Sequence, residues 1–151
     1  NVKFSNIIVL GLLAVGCRVQ TPALPVAKTV DISVKGTIVH ARLVETPAEQ
    51  AKGLGGTTAL EWDQGMLFPF SGKAERVFWM KDMLIPIDII WLSDRTIVGI
   101  EKNVPKPVGG ETDAQLWKYP SPDTVNYVLE VKAGFADKYG LKVGDTVIFS
   151  L

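Results

Sequence analysis

Apolar and polar residues alternate along most of the chain from Val30 onward, and a period of two is the mark of strands with one face buried. VDISVKGTIVHARLVE carries two such runs on either side of Lys35-Gly36, a glycine-containing hairpin signal. In the second run Val39, Ala41 and Leu43 share one face, and His40 and Arg42 share the other. GMLFPF, residues 65–70, predicts a strand with Met66, Phe68 and Phe70 on one side. Pro69 has no backbone donor, which assigns that strand to an edge or a bulge. Further strands are predicted from Arg76 to Lys81, Ile87 to Leu92 and Ile97 to Asn103, and in TVNYVLEVK. A last strand is expected after the Gly144-Asp145 turn. In TVNYVLEVK, Val125, Tyr127, Leu129 and Val131 lie on one face, and Asn126, Val128, Glu130 and Lys132 on the other.

Two segments break this alternation as short helices. TPAEQAKGLGG opens with Thr46 as N-cap, Pro47 at the first helical position and Glu49 at the capping-box position, and its glycines end it after about two turns. AGFADKYG is a second short helix, closed by Gly140. The stretch PKPVGGETDAQLWKYPSPD has no period and is long for a loop in a compact domain, which marks it as a functional rim or a mobile segment. About eight short strands with two short helices predict a mainly β sandwich or barrel-like domain over residues 29–151.

The N-terminus has a different character. IIVLGLLAVG, residues 7–16, is an apolar run too short to span a bilayer comfortably but of the length of a signal-peptide core. It ends in Ala14-Val15-Gly16-Cys17, which resembles a lipoprotein processing site, where small residues admit the peptidase and the cysteine takes the lipid. Residues 1–16 are therefore expected to be a lipoprotein-type signal peptide. Residues 17–28, with Pro22 and Pro25, are expected to be a lipidated cysteine and extended tether. This predicts an exported protein held to the bacterial envelope by a membrane anchor at Cys17.

Composition excludes several chemistries. The chain has 16 Lys plus Arg against 16 Asp plus Glu, so no overall basic field favours nucleic acid. Its 1 Cys and 1 His, Cys17 and His40, rule out a Cys/His zinc site and an intrachain disulfide framework. GLGG is not followed by Lys-Ser/Thr, and no Gly-x-Ser-x-Gly is present. No metal and no cofactor is expected.

GLGGTTAL, GMLF, FWMKDMLIPIDIIWL and YVLEVKAGFADKYGLKVGD occur in an order and spacing that resemble the domain-of-unknown-function family 192, over about residues 40–149. The resemblance implies a small mainly β fold, frequently exported or lipid-anchored in bacteria, and no established activity. Many members have Lys-Asn after Trp-Met, whereas this chain has Lys81-Asp82, which adds a carboxylate beside the lysine.

The candidate chemistry lies in RVFWMKDMLIPIDIIWL, residues 76–92, where charges are set among tryptophans, methionines and isoleucines. Trp79, Lys81, Asp88 and Glu130 are the ligand-binding candidates, with Met66 and the loop from Pro105 to Pro122 as gate or rim. Lys81, Asp88 and Glu130 are expected to converge on one pocket, although Asp88 also suits a turn-capping or ion-paired structural role. Trp62, Trp91 and Trp117 are assigned to packing or loop anchoring. The expected function is a binding or accessory module for an envelope polymer or protein. The alternative is a small hydrolase of envelope polymers with Asp88 and Glu130 as acid and base, which requires the two carboxyls about 5–9.5 Å apart across one cleft.

Overall fold

The structure, a computed structural model, describes residues 27–151. The signal peptide expected over residues 1–16, Cys17 and all but the last two residues of the expected tether lie outside the described residues. In chain order the elements are β1 (Thr29–Val34), β2 (Thr37–Leu43), α1 (Pro47–Lys52), β3 (Gln64–Ala74), β4 (Val77–Trp79), β5 (Ile87–Ser93), β6 (Thr96–Val104), β7 (Lys118–Pro120), β8 (Val125–Lys132) and α2 (Phe135–Tyr139). Six strands form one mixed sheet in the order β1-β2-β3-β8-β5-β6, and β4 pairs with β7 in a separate ribbon.

Local chemistry accounts for the elements that the sequence predicts. Lys35 and Gly36 take φ of 51° and 78°, the paired positive angles of a two-residue turn whose twist matches the β1–β2 hairpin. Thr46 Oγ1 accepts from Glu49 N at 3.2 Å while Glu49 Oε2 accepts from Thr46 N at 3.1 Å, a capping box that starts α1. α1 belongs to the crossover that β2 and β3 need because they run parallel.

β3 is a central strand, and Pro69 falls at its irregularity, the bulge of the two expected alternatives. Pro69 is tolerated there because pairing with β2 ends at Leu43 opposite Leu67, and the register against β8 slips between Pro69 and Ala74. On the side that β2 vacates, the Pro69 carbonyl accepts from Gln50 Nε2 at 2.9 Å. The strand expected from Arg76 to Lys81 is three residues long, and the chain turns out of it through Asp82 at φ 58°. Within the expected loop, Lys118–Pro120 is a strand that completes the ribbon. The final expected strand is replaced by two isolated bridges, Ser33 to Ile148 and Thr96 to Thr146. Those bridges tie the C-terminal segment to both edge strands of the sheet, which shields the edges without closing a barrel.

The sheet is buried on both faces. One face packs Ile32, Val39, Leu67, Leu129 and Val131 against Phe135, Leu141 and Phe149. The other packs Met66, Phe68, Ile89, Trp91 and Val128 against Leu54, Met80 and Met83. Because β8 and β5 are interior strands covered on both sides, either face of each reads as apolar, and a charged side chain there must be satisfied or neutralised.

Candidate functional site

Glu130 occupies the middle of β8 and is 5% exposed. Met66 on β3 and Ile89 on β5 are its cross-strand partners, so its side chain points into the face covered by α1 and β4. Its Oε2 is buried without a hydrogen-bond partner among the described residues. Burial alone pushes the carboxyl up to about 8, so at neutral pH it holds its proton and is a donor without an acceptor.

A cavity of about 40 Å³ lies against this carboxyl. That is room for one water or one polar group of a ligand. Phe68, Phe78 and Met83 supply apolar wall, Gln50 and Gly53 come from α1 and its exit, and Trp79 and Lys81 form the mouth. Phe78 stands edge-on to both Phe68 and Trp91, at centroid distances of 5.1 and 5.4 Å, which fixes the aromatic wall. Gln50 is held by donating to Val44 O and Pro69 O, so the capping box that positions α1 also positions one side of the cavity.

The mouth is charged and half-exposed. Lys81 Nζ donates to Asp113 Oδ2 at 2.6 Å, and that bond holds the lysine above its ordinary pKa. Trp79 is 37% exposed, with Lys118 Nζ 3.6 Å from its ring centroid. Lys118 comes from β7 and Asp113 from the loop before it, so the segment expected as a rim does border the mouth. Lys81 and Met83 also line a shallower cavity of about 280 Å³ under Gly109, Gly110 and Leu116.

Trp79, Lys81 and Glu130 are therefore brought together, and Asp88 is not. Asp88 opposes Val131 while its neighbour Ile89 opposes Glu130, which places the two carboxyls on opposite faces of the sheet. Asp88 is 0% exposed and fully engaged: Oδ1 accepts from Asn103 N at 2.7 Å and Gly134 N at 3.0 Å, and Oδ2 from Ala136 N at 2.8 Å. It ties β6 and the start of α2 to β5, the structural role, and leaves the three-residue convergence reduced to Lys81 and Glu130. Met66 lines a neighbouring cavity and is absent from the lining of this one.

Two of the remaining tryptophans pack as expected, Trp91 at 0% exposure and Trp62 against the opposite core. Trp117 does not; it is 75% exposed on the rim. Sequence reading missed Gln50, Phe78 and Asp113. The capping-box helix carried a signal for Gln50, whereas nothing local to Asp113 points to a lysine 32 residues away.

Residues 29–149 match the family described as an uncharacterized conserved group, DUF192. The chain belongs to DUF192. Among solved structures, a protein of unknown function from Novosphingobium aromaticivorans is 31% identical, with a TM-score of 0.69 over 81% of this chain and 84% of that one. A proposed transcription regulator from Sinorhizobium meliloti is 26% identical, with a TM-score of 0.71 over 82% of this chain and 95% of that one. No curated protein is significantly similar. The DUF192 segment thus takes in both sheet faces and every residue of the Glu130 cavity.

Proposed function

We propose that this DUF192 domain is a recognition module of the bacterial envelope, and that its Glu130 cavity receives a hydroxyl- or carbonyl-bearing end group of an envelope polymer. The observation that carries the reading is the buried, unpartnered Glu130 Oε2 facing a cavity whose mouth is Trp79 and Lys81. A neutral carboxylic acid in an apolar wall donates strongly to an entering oxygen, because leaving that donor unsatisfied is costly. Trp79 offers apolar ring surface to the rest of the ligand, and Lys81 offers a donor at the entrance.

The anchoring part of the proposal rests on residues 7–17 of the sequence, with Cys17 as the lipidated residue. Mass measurement of the processed protein tests it: a diacylglyceryl adduct at Cys17 is expected, and an intact leader refutes it. The nucleic-acid reading invited by the Sinorhizobium relative has weaker support, because 16 Lys plus Arg against 16 Asp plus Glu supply no net positive field. A two-carboxylate hydrolase loses its support with the separation of Asp88 from Glu130.

Co-sedimentation with purified cell-wall sacculi tests the recognition role. The full chain is expected to sediment with them, Glu130→Leu and Trp79→Ala to do so at least tenfold more weakly, and the interaction to fade above about pH 8, where Glu130 gives up the proton it donates. Wild-type protein that stays in the supernatant across that range overturns the reading.

A further inference from the structure

A second cavity, of about 420 Å³, lies over β2 and β3 and is separated from the Glu130 cavity by Lys52, Gly53 and Leu54, which line both. Its origin is in the strand pattern. β2 buries Val39, Ala41 and Leu43 in one face of the sheet, which turns His40 and Arg42 to the other. There the end of α1 and the chain after it border the cavity, and exposed Arg42 stands beside its cross-strand partner Met66 at the edge of an apolar floor. Met66, Leu54 and Leu60 form that floor, all buried.

The charged groups of the lining are of one sign. Arg42, Lys52 and His40 line the cavity, and among the described residues no carboxylate does. Neither the Arg42 nor the Lys52 side chain has a hydrogen-bond or ion-pair partner among the described residues. Glu49, a carboxylate within electrostatic reach of Arg42, is committed to the capping box, accepting from Thr46 N and Thr46 Oγ1. His40 is held toward its charged form by a 2.6 Å bond to Asp31, which lies outside the lining.

The glycine-rich stretch bordering the cavity offers little to a phosphate. Gly53 N donates to Glu49 O, Gly55 N to Lys52 O, Gly56 N to Asp82 O and Thr57 N to Leu54 O, so these amides are spent within the fold. A backbone cradle for tetrahedral oxyanions needs amides aimed outward. What remains for an anion is a planar guanidinium fork, the geometry that matches a carboxylate, and an ammonium on the same lining. The apolar floor supplies the second half of the recognition, since burying alkyl or ring surface there is favourable by about 25 cal/mol per Å².

We infer that this cavity binds a carboxylate with an apolar body, the head group on Arg42 and Lys52 and the body over Met66, Leu54 and Leu60. The inference does not depend on the Glu130 reading. Calorimetric titration of the full chain with octanoate tests it. One saturable site per chain is expected, weakened at least tenfold by Arg42→Glu and retained by Glu130→Gln, with octanol and octylamine binding at least tenfold more weakly than octanoate. Arg42→Lys, which keeps the charge and removes the fork, is expected to fall between wild type and Arg42→Glu. The absence of saturable octanoate binding overturns the inference, as does equal affinity in correctly folded Arg42→Glu, loss in Glu130→Gln, or displacement by inorganic phosphate at concentrations comparable to octanoate.

Discussion

Asp88 and Glu130 are offset by one residue across the antiparallel β5–β8 pair, and that offset sends one carboxyl to each side of the sheet. Both are buried, yet their fates differ: three backbone amides surround Asp88, and Glu130 Oε2 has no partner among the described residues. One acidic residue braces the fold, and the other is buried with no hydrogen-bond partner for Oε2 among the described residues.

Removing the Asp88 acceptor leaves the amides of Asn103, Gly134 and Ala136 unpaired in the interior. Asp88→Ala is expected to cost about 3 kcal/mol or more, given that each orphaned buried donor costs about 1–3 kcal/mol. Asp88→Asn, which keeps one acceptor oxygen, is expected to cost less. Urea unfolding midpoints check the order, and faster hydrogen exchange at Ala136 locates the damage at the start of α2.

For Glu130 the sign of the pH effect follows from its raised pKa. The folded carboxyl titrates at about 8, against 4.5 for the ordinary group. Below pH 4.5 both states hold the proton and the folded state loses nothing. Between 4.5 and 8 only the unfolded chain releases it, so stability falls by as much as about 1.4 kcal/mol per pH unit before levelling off above 8. Glu130→Gln, which cannot ionise, is expected to flatten this slope. Denaturation at pH 5 and pH 8 measures it, and equal slopes in wild type and variant would contradict a protonated Glu130.

Thr46 acts at a distance on the same cavity. Thr46→Ala breaks the reciprocal bonds with Glu49 and is expected to destabilise the domain by about 1 kcal/mol. Because α1 carries Gln50, which bonds Val44 O and Pro69 O, the loss should also loosen the wall opposite Glu130. Amide exchange at residues 47–53 is expected to rise in Thr46→Ala and to remain at wild-type level in Thr46→Ser.

Gly99 is required for close approach. A Cβ there would lie 2.4 Å from Pro122 Cγ and 3.1 Å from Trp91 Cδ1, and the proline ring has little freedom to withdraw. Gly99→Ala is expected to cost about 1–3 kcal/mol by overpacking, and a Trp91 emission shift in the folded protein would report the displaced contact.

Much of this architecture was legible in the residues because its determinants are local. The Lys35-Gly36 turn, the Thr46 capping box, the Gly140 stop and the alternation of β2 each depend on side chains a few positions apart. Alternation also put Glu130 opposite Leu129 and Val131 correctly. The central position of β3, the pairing of β4 with β7 and the bond from Lys81 to Asp113 depend on which segments meet, and no local pattern encodes that. The one-residue register between β5 and β8 belongs with them. It decided that Asp88 is a brace and Glu130 a donor, because in a sheet covered on both faces the apolar pattern around each acid reads the same until its neighbours are in place.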